Sequence, residues 1–450
     1  MVAVARVIAL ELLNRVFEDD AYANILMPQL LKAKRVDSRD AGLAQEIAYG
    51  TIRYKATLDA IICSATQRKI GDFDAAVLRV TELGAYQLLH TRVPVHAALN
   101  ETVDQAKMIL NGRASGLVNA ALRRISEKNW QEWLDVVQKE AHTELEKTSI
   151  EFAHPEWIVT ALKLALRADG RETQLSDLLS ADNEPARINL VALPGLTTIE
   201  DTDPLEPHPS SPIGYLSPTG TPNDVAAFRH GALRVQDAGS QLVSMVVAKA
   251  QPIAPGEVWL DLCAGPGGKA ALLAAIANQV GAKIVCNEPS QHRAELVRSA
   301  LSHSGLRAEV RVEDGREIRG TYDRILVDAP CTGLGALRRR PEARWRKSQS
   351  DIAALTKLQT ELLQSAWNAL KPGGVLVYST CSPHQSETTA IIERALRDFG
   401  TTAKLENANE ILHTINPQLE LNDKRKTAQL WPHLHDTDAM FIAVLTKSVS

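Results

Sequence analysis

The chain has 450 residues, too many for a single core and enough for two or three domains. Its composition, 45% hydrophobic and 23% charged with a net charge of −4, is that of a globular protein. It excludes a wholly basic nucleic-acid binder while leaving room for a local basic face. No run of about eighteen apolar residues occurs, so no membrane span is expected. The start, Met-Val-Ala-Val-Ala-Arg-Val, lacks the basic and long apolar regions of a signal peptide. Five cysteines without regular spacing do not suggest a disulfide framework. A reducing cytoplasm is expected, in which Cys331 and Cys381 remain thiols.

Residues 1–140 read as all-helical. Val4, Val7, Ile8, Leu12 and Phe17 recur at helical spacing, as do Val77, Val80, Leu83, Gln87 and Leu88. A further helix is expected after Pro94, and another over Leu117 to Ile125. The sum is a small helical bundle. Residues 141–232 read as a small α/β module, with a helix opened by Pro155 and a strand over Pro185 to Val191. Asp203 to Gly214 carries Pro204, Pro207, Pro209 and Pro212, and is expected to be a loop or linker.

Residues 233–450 alternate strand and helix, which predicts a mostly parallel, doubly wound α/β sheet. Strands are expected at Val258–Asp261, Ile284–Glu288, Glu309–Asp314, Arg324–Asp328 and Val375–Ser379, with closing strands around Gln429 and Ala439–Leu445 at an antiparallel edge. Ligands of such sheets bind at the carboxyl ends of the strands.

Between the first of these strands and its helix stands Asp261-Leu-Cys263-Ala264-Gly265-Pro266-Gly267-Gly268-Lys269. Its small residues let a ligand approach the backbone closely. It is not a phosphate loop, since Ala270 replaces the magnesium-holding Ser or Thr, and it does not match the dinucleotide glycine pattern. Glu288, ending the next strand, is placed to accept both hydroxyls of a ribose, and Asp314, ending the third, to receive an adenine amino group. Three acids at successive strand ends without a phosphate signature favour S-adenosylmethionine over a dinucleotide. Nothing in the pattern calls for a metal or a protein partner.

Asp328-Ala-Pro-Cys331 and Thr380-Cys381-Ser382 carry the other chemistry. Cytosine C5 is a poor nucleophile. Addition of a thiolate to C6 gives it carbanion character, so that it can take a methyl group. A protonated Asp328 carboxyl would stabilise the charge developing on N3. After transfer the C5 proton must leave and the thiol be expelled, so a second thiol or a water must act as base. Sheet topology lets both thiols reach one crevice and does not choose the attacker. The following run, Leu337 to Lys347, combines Arg338, Arg339, Arg340, Arg344, Arg346 and Lys347 with Trp345, and suits phosphate contact with stacking.

The second half closely resembles the RNA cytosine-5 methyltransferases. The glycine turn, Glu288 with Arg293, Asp314-Gly315, Asp328-Ala-Pro-Cys331 and Thr380-Cys381-Ser382 match in order, as does Arg234-Val-Gln236-Asp237-Ala-Gly-Ser240-Gln241 before them. In the first half Tyr49-Gly50-Thr51-Ile52-Arg53, Leu83 to Leu89, Asn100-Glu101 and Val118 to Arg123 resemble a NusB-like RNA-binding domain. The combination is similar to the RsmB-type (Sun/Fmu) 16S ribosomal RNA methyltransferases. The resemblance implies a Rossmann-like methyltransferase core, S-adenosylmethionine as donor, and an unstacked or loop cytosine of 16S rRNA, C967 in that family, as target. It implies Cys381 as nucleophile, Cys331 as the thiol assisting release, and Asp328 at the base edge. It also implies a donor pocket from Cys263, Ala264, Gly265, Pro266, Gly267, Gly268, Lys269, Glu288, Arg293, Asp314 and Asp328. Pro289 after Glu288, and Asp436-Thr-Asp438-Ala439 in place of an Asp-Gly-Phe-Phe type ending, depart from the pattern. The rivals are another RNA such as tRNA, a DNA enzyme that attacks through Cys331, and a non-catalytic RNA-binding assembly factor.

Overall fold

The computed structural model describes residues 2–449 except 204, 219–221 and 223–224, so Pro204 of the expected linker lies outside the described residues. The chain forms two compact units. One comprises Met1–Thr160, Asp182–Glu184 and Leu337–Lys347, and the other Ala161–Ala181, Pro185–Ala336 and Ser348–Ser450.

The first unit is helical, as the periodicity predicts. Helices over Val4–Glu18, Ser38–Arg53 and Ala75–His90 surround a core that includes Ile8, Leu12, Ile47, Ile52, Val80 and Leu83. Helix starts follow local chemistry. Asp37, Asp74 and Asn111 each accept a backbone N–H of the first turn, and Asn129 forms a capping box with Glu132. Helices over Val95–Ile109 and Gly112–Ile125 follow Pro94 and Asn111.

The basic run Leu337–Lys347 belongs to this unit, and for Arg344, Trp345 and Arg346 the expected role in phosphate contact and stacking is corrected. Arg344 is fully buried and donates to the carbonyls of Arg53, Ala153 and Asp182 and to Asn183 Oδ1 at 2.7–3.2 Å. Trp345 Nε1 donates to Ile52 O at 2.7 Å, and Arg346 donates to the carbonyls of Val16 and Ala21. Several of these acceptors lie at helix C-termini, where carbonyls lack helical partners and the helix dipole is negative. The Arg344 and Arg346 charges are therefore spent inside the protein, while Arg340 is exposed.

The second unit holds two sheets. In the smaller, strands β1 (Asn189–Ala192), β2 (Glu206–Pro207), β3 (Gly214–Leu216) and β4 (Leu233–Val235) lie in the order β2-β3-β1-β4, all antiparallel. The expected linker thus carries an edge strand, β2. Proline is tolerated there because an edge strand does not need every N–H.

The larger sheet contains β5 (Val258–Asp261), β6 (Lys283–Asn287), β7 (Glu309–Arg311), β8 (Tyr322–Asp328), β9 (Leu370–Thr380), β10 (Ala403–Glu406), β11 (Ala428–Gln429) and β12 (Phe441–Lys447). The order is β10-β12-β9-β8-β5-β6-β7, with β11 beside β12. Strands β5 to β9 are parallel. Strand β12 runs antiparallel to β9 as expected, but it is not the edge, because β10 pairs outside it. Only Leu405 in Ala403–Glu406 is a large apolar residue, which is why the edge strand escapes a hydrophobicity reading.

Period-two alternation divides the core. Trp259, Ile284, Leu326, Val377 and Val444 join one apolar cluster, while Leu260, Val285, Ile325, Val327, Leu376 and Leu445 join another. Each buried Leu or Ile stabilises the fold by roughly 1.5–3 kcal/mol. From β5 the chain proceeds to β6 and β7 on one side, then returns to β8 on the other. The carboxyl ends of β5 and β8 therefore flank the switch in strand order, where open α/β sheets form a crevice.

Candidate active site

Asp261 ends β5 and Asp328 ends β8, so the switch in strand order sets two carboxylates beside each other. Lys269, in the first turn of the helix Gly268–Gln279, spans the gap. Its Nζ donates to Asp328 Oδ2 at 2.9 Å and to Ser240 Oγ at 3.0 Å. Burial opposes the charge on Lys269, but the charge and hydrogen bond of Asp328, with Cys381 and Asp261, together outweigh it and raise the ammonium pKa. Ser379 Oγ of β9 donates to Asp328 Oδ1 at 2.9 Å. Both oxygens of Asp328 thus accept, so the expected proton donation to a base requires a proton to arrive, with Lys269 the bonded source.

The thiols meet. Cys331 follows β8, Cys381 follows β9, and their Sγ atoms are 3.5 Å apart. The two are not equivalent. The bond from Cys331 lowers the pKa of Cys381; burial, Asp328 and Asp438 oppose this, while Lys269 adds to it. The same bond, burial and the Glu387 carboxylate raise the pKa of Cys331. The ammonium favours charge on Cys381, and the carboxylate favours a proton on Cys331. Either sulfur can donate in this contact, and the opposite directions of the two shifts make Cys381 the more acidic of the pair. Cys263 lies in the glycine turn apart from this pair, and burial, followed by the Asp261 charge, pushes its thiol well up.

That turn is held by its partners. Arg293 donates to Gly265 O at 2.7 Å and lies 3.5 Å from Glu288 Oε2, while Glu288 Oε1 accepts from Ser290 N–H. A Cβ on Gly265 would stand 2.2 Å from Glu288 Oε2, so a side chain there would push the Glu288 and Arg293 side chains away from the turn. Gly267 adopts φ +110° before the helix. Cys263, Ala264, Gly265, Pro266, Gly267, Gly268 and Lys269 therefore form one tight path with Glu288 and Arg293. Pro289 leaves Glu288 buried.

Asp314 is placed differently from its expected position. Strand β7 ends at Arg311, and Asp314 lies beyond it on an exposed turn, bound through both oxygens to Arg316. That guanidinium holds its carboxyl down at about 2. Asp261 is the opposite case. It is fully buried with no well-formed hydrogen bond on either oxygen, and the Lys269 ammonium and then the Cys263 backbone N–H favour its charge. Burial, and then the Asp328 charge, push it up to about 7. Among the described residues no cluster of His, Cys, Asp and Glu could hold a metal ion.

Sequence reasoning did not single out Glu387 or Gln359, whose partners include residues distant in the chain, and it quoted Ser379 beside the second thiol without giving it its bond to Asp328. Nor did it give Asp237 its role of accepting the Gly239, Ser240 and Asp438 backbone N–H groups. The unusual ending Asp436-Thr-Asp438-Ala439 is accommodated through this bond and through Gly335, whose N–H donates to Cys381 O and whose carbonyl accepts from Ala439 N–H. A Cβ on Gly335 would stand 2.3 Å from Ala439 O.

The comparisons with known proteins cover both halves of the chain. Residues 250–446 match the family of 16S rRNA methyltransferases RsmB/F, and residues 3–127 match the NusB family. The Mycobacterium tuberculosis protein Rv1407, named as a methyltransferase, is 42% identical over 98% of this chain and 96% of its own length. Ribosomal RNA small subunit methyltransferase B of Yersinia pseudotuberculosis is 30% identical over 98% of both chains. Among solved structures, PH0851 superposes with a TM-score of 0.79 at 21% identity, over 99% of this chain and 98% of its own, which supports the fold. The chain therefore belongs to the RsmB/F family of 16S rRNA methyltransferases, with a NusB-family helical region ahead of the catalytic sheet, and is an RNA methyltransferase.

Proposed function

We propose that this protein transfers a methyl group from S-adenosylmethionine to C5 of an unstacked cytosine in 16S rRNA, through a covalent bond from Cys381 to C6. The observation that carries the reading is the thiol pair, with Lys269 on the Cys381 side and Glu387 on the Cys331 side. The reducing cytoplasm would keep both thiols free, and the NusB-like helical unit would help to hold the RNA. The family's position, C967, is the first target to test.

The residues present fit the donor. Asp261 is a buried carboxyl without a full partner, suited to an ammonium group, and the turn at Gly265 leaves no room for a side chain. Glu288 and Asp314 would take the ribose and the adenine, with Cys263 to Lys269 and Arg293 shaping the turn. When bound, S-adenosylmethionine supplies an electrophilic methyl carbon.

The chain's own groups do the rest. The Cys381 thiolate forms the S–C6 bond, and the C5–C6 π electrons move into the ring toward N3. Asp328 takes a proton relayed by Lys269 and gives it to N3 as the negative charge develops there. C5 then takes the methyl group, whose former bonding pair stays with the donor sulfur. Removal of the C5 proton by Cys331 as its thiolate, or by water, returns an electron pair to the ring. C5=C6 re-forms, N3 returns its proton to Asp328 and through it to Lys269, and Cys381 leaves as thiolate. Relaying its S–H proton to solvent makes Cys331 the base.

Bisulfite sequencing of 16S rRNA from cells with and without the gene tests the reading. One cytosine is expected to lose its protection in the deletion strain. An unchanged 16S pattern overturns the rRNA assignment, and a protected site elsewhere redirects it to that RNA.

A further inference from the structure

We propose that Glu387 is a positioning residue for the thiol pair, its carboxylate fastening together the residue that follows Cys331 and the residue that follows Cys381. The inference rests on the proposed thiol chemistry and adds to it a group that touches neither substrate.

Glu387 is fully buried, in the short turn Gln385–Glu387. Its Oε1 accepts from Thr332 N–H at 2.8 Å and from Gln359 Nε2 at 3.1 Å. Its Oε2 accepts from Thr332 Oγ1 at 2.5 Å and from Ser382 Oγ at 2.6 Å. The two hydroxyl oxygens are 2.9 Å apart. Gln359 also donates to Pro330 O at 2.8 Å, just before Cys331, and Tyr378 Oη donates to Glu387 O at 2.8 Å. A buried carboxylate is costly unless several donors meet it, and four do here. Those donors come from both thiol-bearing segments and from the helix Asp351–Ala369. One acid therefore fixes the separation of two sulfurs carried by different strands.

The same charge lies on the Cys331 side of the pair. The groups facing Cys381 are Cys331, Asp328, Asp438 and Lys269, and those facing Cys331 are Cys381, Glu387, Tyr378 and the Gly333 backbone N–H. Removing the Glu387 charge leaves the Cys381 set intact and takes away one of the influences that keep the proton on Cys331, beside its bond to Cys381 and its burial.

The full chain and its Glu387→Gln variant are titrated with iodoacetamide from pH 6 to 10, and labelling of each cysteine is counted by mass spectrometry. Wild type is expected to label Cys381 well ahead of Cys331. Glu387→Gln should cut that preference about tenfold and lower kcat by about 10–100-fold, with KM for the donor within about twofold. An unchanged labelling preference overturns the proposal whatever the activity. If Glu387→Gln does not fold, Thr332→Val and Ser382→Ala, which keep the carboxylate and each remove one tether, decide in the same way through kcat and the labelling ratio. Because labelling needs no RNA, failure here is separate from failure of the cytosine reading, which would appear as wild-type protein that methylates no cytosine.

Discussion

The thiol end and the donor end of the same crevice are built on opposite plans. Around Cys331 and Cys381, Thr332, Ser382 and Gln359 are all bonded to Glu387 before any substrate arrives, and of these groups Gln359 Oε1 alone lacks a partner. Around the glycine turn, Asp261 is buried without a full partner, and Asp314 stands in solvent with Arg316. Bond formation needs sulfur and acid held within a fraction of an ångström, which a rigid shell provides. A site that a ligand must complete stores its unmet polar groups until binding.

The largest expected effect breaks the thiol end. Cys381→Ala should lower single-turnover methyl transfer by at least about 10³-fold. Cys331→Ala should transfer a methyl group and then hold the RNA in a covalent complex, visible as a denaturant-resistant gel shift. The reverse pattern would make Cys331 the attacker and reassign the two thiols.

A smaller effect should break the donor end alone. Gly265→Ala places a methyl group against the Glu288 carboxylate, 2.2 Å away without rearrangement. Donor affinity, measured by calorimetry, is expected to fall about tenfold or more. Iodoacetamide labelling of Cys381 should stay as in wild type. If labelling changes with it, the two ends are not independent.

The smallest effect sharpens the contrast through pH. Asp261 is ordinarily an acid of pKa 3.8, and in the fold it is pushed up to about 7. Because the folded value is raised, the stability contributed by the protonated form is full below the ordinary value and is lost as pH rises to about 7. Wild type should therefore lose several degrees of Tm relative to Asp261→Asn between about pH 4 and about pH 7. Donor binding should show the opposite trend, strengthening toward about pH 7 and releasing a proton, and Asp261→Asn should abolish that slope. A flat difference in Tm would place the carboxyl in contact with water.

The sequence carried most of the second unit because its signals are local. The runs Ile325–Val327 and Val375–Tyr378 read as buried strands, and the ends Asp328 and Thr380 followed directly. Sheet order placed Cys331 and Cys381 together, although a separation of 3.5 Å was beyond any spacing rule. Three features were not legible, for physical reasons. Ala403–Glu406 is too polar to announce a strand. Arg344 and Trp345 look like RNA contacts because nothing nearby in sequence shows the helix ends that take their hydrogens. Asp328 and Lys269 stand far apart in the chain, so neither charge reveals the other. The same distance hides Glu387, whose four donors are contributed by three segments.

The membership of Leu337–Lys347 in the helical unit bears on how the protein is made. Arg344 supplies hydrogens to carbonyls near the ends of helices synthesised long before it. The helical unit cannot complete its interior until Lys347 has left the ribosome, by which time β5 to β8 have also been made. Domains usually form one after another as they emerge. Here the earliest helices must wait, with part of their polar backbone uncapped, for a piece threaded through the catalytic half. A gene fragment ending before that piece would encode every helix of the matched NusB region and still lack the residues that finish it.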